Sequence, residues 1–418
     1  SIVFLIDQEG RSGPLFKKNI VGIIAEYNPF HNGHLYHINR SLEITGADAV
    51  VVVLSSNFVQ RGEPAFLDKW SRAEMALHSG ADLVIELPTA FSCHNAGVFG
   101  SAAVDLMAMT GIVTHVSFGM EDPDAPLGEI ARILVEEPAP FRKILRERLD
   151  SGFSYAEART EAMEKMLPGA GEILSSPNNI LAQEYVLRIA ERGYPLETTP
   201  VKRTGTGYHS GPLGSFAGAG WIRDAVRTEG ITDPVVTVMP PHALSSLKEG
   251  ISRGRCVLSL DLFWRVLKAV LLREGPSGIS RFAEMREGIE NLLWANAVKA
   301  RSFEEFTSLC TSRRYPGSRI RRSACHSLIG YEHQANRKAQ RLGPPYIRVL
   351  GWDAKGQEIL RRMKTSSKLP IIFRPKGRPG TYQRMIADLE YRATALWENL
   401  VPNPEPLSES KKGPLRLA

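Results

Sequence analysis

The chain has 418 residues, 23% of them charged and 43% hydrophobic, with a formal net charge of +7. That balance excludes a disordered or fibrous chain, and the length suffices for two or three domains with a substantial core. No apolar run reaches the roughly 18 residues that cross a bilayer, and four scattered cysteines without a CxxC (Cys93, Cys256, Cys310, Cys325) read as reduced thiols of a cytoplasmic protein.

Residues 1–20 read as an N-terminal extension. The apolar run at 2–6 is too short for a signal sequence and could add a strand. From residue 21 the pattern alternates. Strands are predicted at 21–25, 49–55, 83–87 and 113–118, and helices at 33–45, 69–79 and 96–110. Apolar strands alternating with helices predict an α/β fold with a Rossmann-like, doubly wound parallel sheet. In such sheets ligands sit at the carboxyl ends of strands. That rule selects the turn after the first strand, Ser55-Ser56-Asn57 after the second, and Ser117-Phe118-Gly119 after a later one. A helical insertion follows at 127–167, then a helix at 178–192, a strand at 197–203, a glycine-rich loop at 205–220 and a helix at 221–228.

Asp233-Pro234 and Pro240-Pro241 mark the boundary of this first domain, 21–233. Residues 240–400 read as a mostly α-helical second domain. Helices are expected at 242–249, 257–273, 279–300, 303–312, 319–340, 357–364 and 382–399, with a strand at 346–352. The Pro- and Lys-rich end, 401–418, is expected to be a disordered tail.

The first strand leads into Glu26-Tyr27-Asn28-Pro29-Phe30-His31-Asn32-Gly33-His34. Asn28-Pro29 marks a turn. Gly33 lets a ligand approach the backbone. His31 and His34, three apart, share one helix face at an N-terminus, where free N–H groups and the dipole attract phosphate. Positioned imidazoles and backbone donors there can stabilise the charge that develops when a nucleophile attacks an α-phosphate. Glu26 could orient a ligand, meet the magnesium of Mg-ATP or hydrogen-bond the turn. His37, one turn past His34, reads as packing. Gln60-Arg61-Gly62-Glu63-Pro64 could be a mobile loop near the site or a plain connection. Lys69, Arg72 and Glu74 read as surface charges.

"EYNPFHNGHLYH" resembles the HxGH nucleotidyltransferase superfamily. "QRGEPAFLDKWSRAEMALHSGADLVIELP" at 60–88, "SFGME" at 117–121, "SPNNILAQEYV" at 176–186, "YIRVLGWDAKGQEIL" at 346–360 and "SKLPII" at 367–372 narrow the resemblance to the tRNA(Met) cytidine acetate ligase family. The resemblance runs from about residue 21 to 374. It implies ATP as a substrate, carried with Mg²⁺, with His31 and His34 as catalytic residues against its phosphates. It further implies an ATP-binding segment of Ile24, Ala25, Glu26, Tyr27, Asn28, Pro29, Phe30, His31, Asn32, Gly33, His34, Leu35, Tyr36 and His37. Gly119, Asn178 or Asn179 (Asn179 preferred), Arg203 and Arg223 complete the ATP site, with Arg223 expected at the β- and γ-phosphates. One departure stands out. Where the superfamily carries hydroxyl residues before Ile-Arg, this chain has Ala219-Gly220-Trp221-Ile222-Arg223, and backbone N–H groups at that helix start would have to replace the hydroxyls.

Between 301 and 378 there are 18 Lys and Arg against 5 Asp and Glu, a local charge of +13. A basic segment on an otherwise acidic body points to a polyanion. Arg313, Arg314, Arg319, Arg321, Arg322, Arg337 and Lys338 are the candidate RNA contacts, and Tyr315, Tyr331 and Tyr346 could stack on bases, although a core role suits most aromatics. The resemblance implies acetylation of the wobble cytidine of elongator tRNA(Met) by acetate and ATP, through acetyl-adenylate. The rivals are a small-metabolite adenylyltransferase and an RNA-binding protein with a decayed nucleotide site.

Overall fold

A computed structural model of the chain describes residues 19–417 apart from 154, 175 and 204–212. The run at 2–6 and the first half of the glycine-rich loop, 205–212, therefore lie outside the described residues. Strands run in chain order β1 (Ile20–Ala25), β2 (Ala49–Ser55), β3 (Phe58–Val59), β4 (Glu63–Pro64), β5 (Leu83–Leu87), β6 (His115–Met120), β7 (Glu197–Lys202), β8 (Ile347–Trp352), β9 (Ile371–Ile372) and β10 (Leu415–Arg416). The main sheet has the order β10-β8-β5-β2-β1-β6-β7, with β9 paired to β8. Within the run β5-β2-β1-β6-β7 every pairing is parallel. Helices Asn32–Thr45, Lys69–His78 and Ala96–Thr110 connect them, within a residue of the expected bounds.

The sheet forms because its inner strands, β1, β2 and β5, are largely apolar and buried on both faces. Val51 and Val53 of β2 enter one buried cluster, while Val50, Val52 and Leu54 enter the other. Alternating side chains of one strand thus seed two cores, as a sheet covered on both sides requires. Being central, β1 carries the turn at its carboxyl end into the middle of the molecule.

The C-terminal region is mostly helical, as expected, but it also completes the sheet: β8 pairs antiparallel with β5. Two predicted helices are broken. The one expected at 319–340 divides into Gly317–Ile329 and His333–Leu342, because Gly330 caps the first in the left-handed conformation. The one expected at 279–300 begins only at Ile289, after Gly288 at φ 85°.

The expectation of a disordered tail is wrong. Residues beyond 400 fold back, form the helix Ser408–Lys411, and place β10 beside β8. The cause is a buried charge cluster that composition could not reveal. Glu409, 2% exposed, pairs with Lys69 Nζ at 2.9 Å and with Arg348. Lys69 and Arg72, read from sequence as surface charges, are both fully buried. Arg72 ties the carbonyls of Glu26, Ser56 and Leu67 together.

Candidate active site

A cavity of about 260 Å³ opens at the carboxyl ends of β1 and β6. Its walls include Glu26, Tyr27, Asn28, His31, Gly33, His34 and His37 from the first turn and helix, and Phe118 and Gly119 from β6. Asn178, Leu181 and Tyr185 enter from the helix Pro177–Arg192, and Lys202 and Arg203 from the end of β7.

The turn is built to hold two imidazoles. His31 is the N-cap of the helix Asn32–Thr45, and its Nδ1 accepts from Gly33 N at 3.0 Å. His34 reaches back, its Nδ1 accepting from His31 N at 3.2 Å. This reciprocal pair is a capping box written in histidine. The rings stack 3.7 Å apart, and a Cβ at residue 33 would lie 2.9 Å from His31 Cε1, so glycine is required between them. Tyr27 precedes the turn in the left-handed conformation, φ 45°, and its ring meets His34 edge-on at 4.8 Å.

The hydrogen bonds also assign the protons. Each Nδ1 accepts, so the single proton of a neutral imidazole sits on Nε2. Burial first, then the positive charge of Arg203, holds His31 down to about 3 and His37 to about 4; His34 is lowered well below its usual value by burial, His31, Arg203 and His37. His31 and His34 are thus neutral Nε2–H donors at physiological pH. The folded protein holds fewer protons on these rings than the unfolded chain, so the stability they contribute at neutral pH is lost as pH falls below about 6.5. We expect the Cε1–H resonances of all three rings to stay flat from about pH 8 to pH 5; a ring titrating near 6.5 would contradict this assignment.

A second donor group faces the same space. The helix Ala219–Glu229 has no side-chain cap, and Ala217, Gly218 and Ala219 line the cavity. The N–H groups of a helix start are the kind of donor that binds phosphate. The apolar wall of Phe99, Phe118, Leu181 and Tyr185 gives the opposite side a surface for a flat ring.

Most of the expected site residues converge here, with differences. Pro29, Phe30, Asn32 and Leu35 support the turn without lining the cavity; Asn32 Nδ2, for example, bonds the carbonyls of Ser215 and Thr237. Ile24, Ala25 and Tyr36 do line it. Asn178 faces the cavity and donates to Glu121 Oε1 at 3.0 Å, whereas Asn179, preferred from sequence, is buried outside it. The reason is helical phase: 178, 181 and 185 share one face, a spacing that could have identified Leu181 and Tyr185 in advance. His37 is more than packing, since it lines the cavity and bonds Ser117 Oγ at 3.0 Å. Ser56 and Asn57 do not reach the site; they bond Glu390 and Thr394 instead.

Arg223 reaches the wall, but its Nη1 donates to Asn28 O at 2.7 Å and its Nη2 to Glu63 Oε1 at 2.8 Å. In this arrangement it braces the turn, and phosphate would have to compete with Glu63. The 60–64 segment is an ordered hairpin of β3 and β4. Gln60 and Arg61 line the cavity, and Gly62 lies against the backbone of Arg321 and Arg322, where a Cβ would be 2.3 Å from Arg322 N.

The basic segment divides. Arg313 and Arg314 are largely exposed, with long pairings to Glu157 and Glu287, and Arg337 and Lys338 are exposed as well. Arg319 shares Glu287, and Arg321 lies 3.6 Å from Glu63. Arg322 is buried and bonds Glu284 at 3.1 Å, so it is not a surface contact. Tyr315, Tyr331 and Tyr346 are buried, as packing residues are. Among the described residues no helix is long and apolar enough to cross a membrane.

The chain is similar to known proteins over most of its length. The family model for HIGH nucleotidyl transferases matches residues 18–412. A tRNA(Met) cytidine acetate ligase from Syntrophomonas wolfei is 38% identical, over 92% of this chain and 95% of that protein; one from a Thermoanaerobacter species is 41% identical, over 84% and 88%. The crystal structure of apo Thermotoga maritima TmcAL superposes with a TM-score of 0.91 at 32% identity, covering 96% of this chain and 99% of that one. A second structure of that protein, bound with alpha-thio ATP, gives 0.89 at 31% identity. The chain belongs to the HIGH nucleotidyl transferases and, within them, to the tRNA(Met) cytidine acetate ligase family.

Proposed function

We propose that this chain is an ATP-dependent ligase that joins acetate to the N4 amine of the wobble cytidine of elongator tRNA(Met), releasing pyrophosphate and then AMP. The observation that carries the reading is the histidine capping box, which fixes two neutral Nε2–H donors beside an uncapped helix N-terminus. In the first step an acetate oxygen attacks the α-phosphorus. Negative charge grows on the phosphoryl oxygens and on the departing pyrophosphate. His31, His34 and the N–H groups at Gly218–Ala219 are placed to donate to those oxygens, and Arg203 and Lys202 add positive charge. In the second step the cytidine N4 attacks the acetyl carbon and AMP departs.

Among the described residues no cluster of three or more His, Cys, Asp or Glu could hold a metal, so Mg²⁺ would travel on the nucleotide's phosphates. The exposed arginines at 313, 314 and 337, with Lys338, give tRNA phosphates a landing surface. The small-metabolite alternative leaves that surface without a partner.

Exchange of labelled pyrophosphate into ATP tests the first step. The reading expects exchange that requires acetate and that tRNA is not needed to start. Exchange without acetate, or none with it, would contradict it.

A further inference from the structure

The second step needs a base. As the N4–C bond forms, the C–O bond to AMP breaks with its electron pair, and one N4 proton must leave. The amine's lone pair is delocalised into the cytosine ring, so it attacks well only as that proton is removed.

The imidazoles are poor acceptors for it. His31 and His34 engage Nδ1 in the capping box and already carry a proton on Nε2. His37 engages Nε2 with Ser117. Arg61, Lys202, Arg203 and Arg223 are cations. Among the described residues the cavity wall has a single carboxylate, Glu26.

Glu26 is also held as a base should be. Its Oε1 accepts from Gln60 N at 2.7 Å, and its carbonyl accepts from Arg72 Nη1 at 2.7 Å. Its Oε2 accepts no hydrogen bond among the described residues. The hairpin that fixes Oε1 packs on the arginine-bearing helix Gly317–Ile329 through Gly62 and Glu63, so this wall of the cavity adjoins the basic region. Burial raises the proton affinity of the carboxylate, against the pull of Gln60 N and of Arg61, Arg72 and Arg223; Tyr185 faces it from the helix Pro177–Arg192.

We propose that Glu26 Oε2 accepts the N4 proton of the target cytidine during acetyl transfer. The proposal rests on the ligase reading above. Synthetic acetyl-adenylate supplied with a tRNA(Met) transcript isolates the second step, and pyrophosphate exchange reports the first. Glu26→Gln keeps the Oε1 acceptor for Gln60 and loses the base. We expect it to slow acetyl transfer by about 100-fold or more, at least tenfold more than it slows exchange, and Glu26→Asp to recover part of the transfer. Equal losses in both assays, or transfer left intact, would overturn the assignment. Wild-type protein that exchanges pyrophosphate but cannot use acetyl-adenylate would overturn the ligase reading itself, and Glu26 with it.

Discussion

Replacing His34 with alanine should lower acetate-dependent pyrophosphate exchange by about 10²–10³-fold, the usual cost of removing one oriented transition-state donor. Retention of tRNA affinity should accompany the loss, because the exposed arginines lie on other elements. Alanine also removes the acceptor for His31 N, so a second variant separates the roles. His34→Asn can place an amide oxygen near the Nδ1 position, preserving the cap while deleting the Nε2–H donor. It should lose nearly as much exchange as alanine. Recovery by asparagine would mean that the turn's shape, and not the imidazole donor, carries the rate.

The largest stability effect is expected at Lys69. Its Nζ lies 2.5 Å from Glu86, 3.1 Å from Glu390 and 2.9 Å from Glu409, all four side chains at most 3% exposed. Arg348 adds bonds to Glu86, at 2.9 Å, and to Glu409. Three carboxylates therefore share two cations, and burial with the neighbouring Glu86 raises the proton affinity of Glu390, which makes it the candidate site for a balancing proton. Lys69→Met leaves buried charge without its partner and should cost about 3–5 kcal/mol, read as a fall in the urea midpoint. Glu390→Gln, which mimics the protonated acid, should cost far less. Equal losses from the two would place the proton elsewhere.

This cluster marks the limit of what the sequence discloses. The sheet and its helices were legible because β1, β2 and β5 are mostly apolar runs between helical patterns, and the turn of His31 and His34 was legible because its residues are consecutive. Lys69, Glu86, Arg348, Glu390 and Glu409 are scattered over most of the chain, and a charged residue carries no sign of burial until its partners are in place. The tail was misread for that reason. Its composition is that of a disordered segment, yet Glu409 and the strand pairing of Leu415 with Gly351 anchor it. The candidate RNA surface was half legible. Local charge located the segment, but Arg322 faces Glu284 inside, and residue type alone does not separate it from the exposed Arg313 and Arg314 that precede its helix. Asn178 and Asn179 are likewise identical in type, and the phase of the helix, with 178, 181 and 185 on one face, is what turns Asn178 to the cavity.

The central claim is acetyl transfer to one cytidine, and ¹⁴C-acetate tests it directly. Purified protein, ATP and Mg²⁺ would be incubated with a tRNA(Met) transcript bearing the wobble cytidine and with one carrying uridine there. ATP-dependent label in the first only, recovered as an acetylated cytidine after nuclease digestion, is the predicted result. Label in both transcripts, or none in either while acetate-dependent pyrophosphate exchange proceeds, would contradict it.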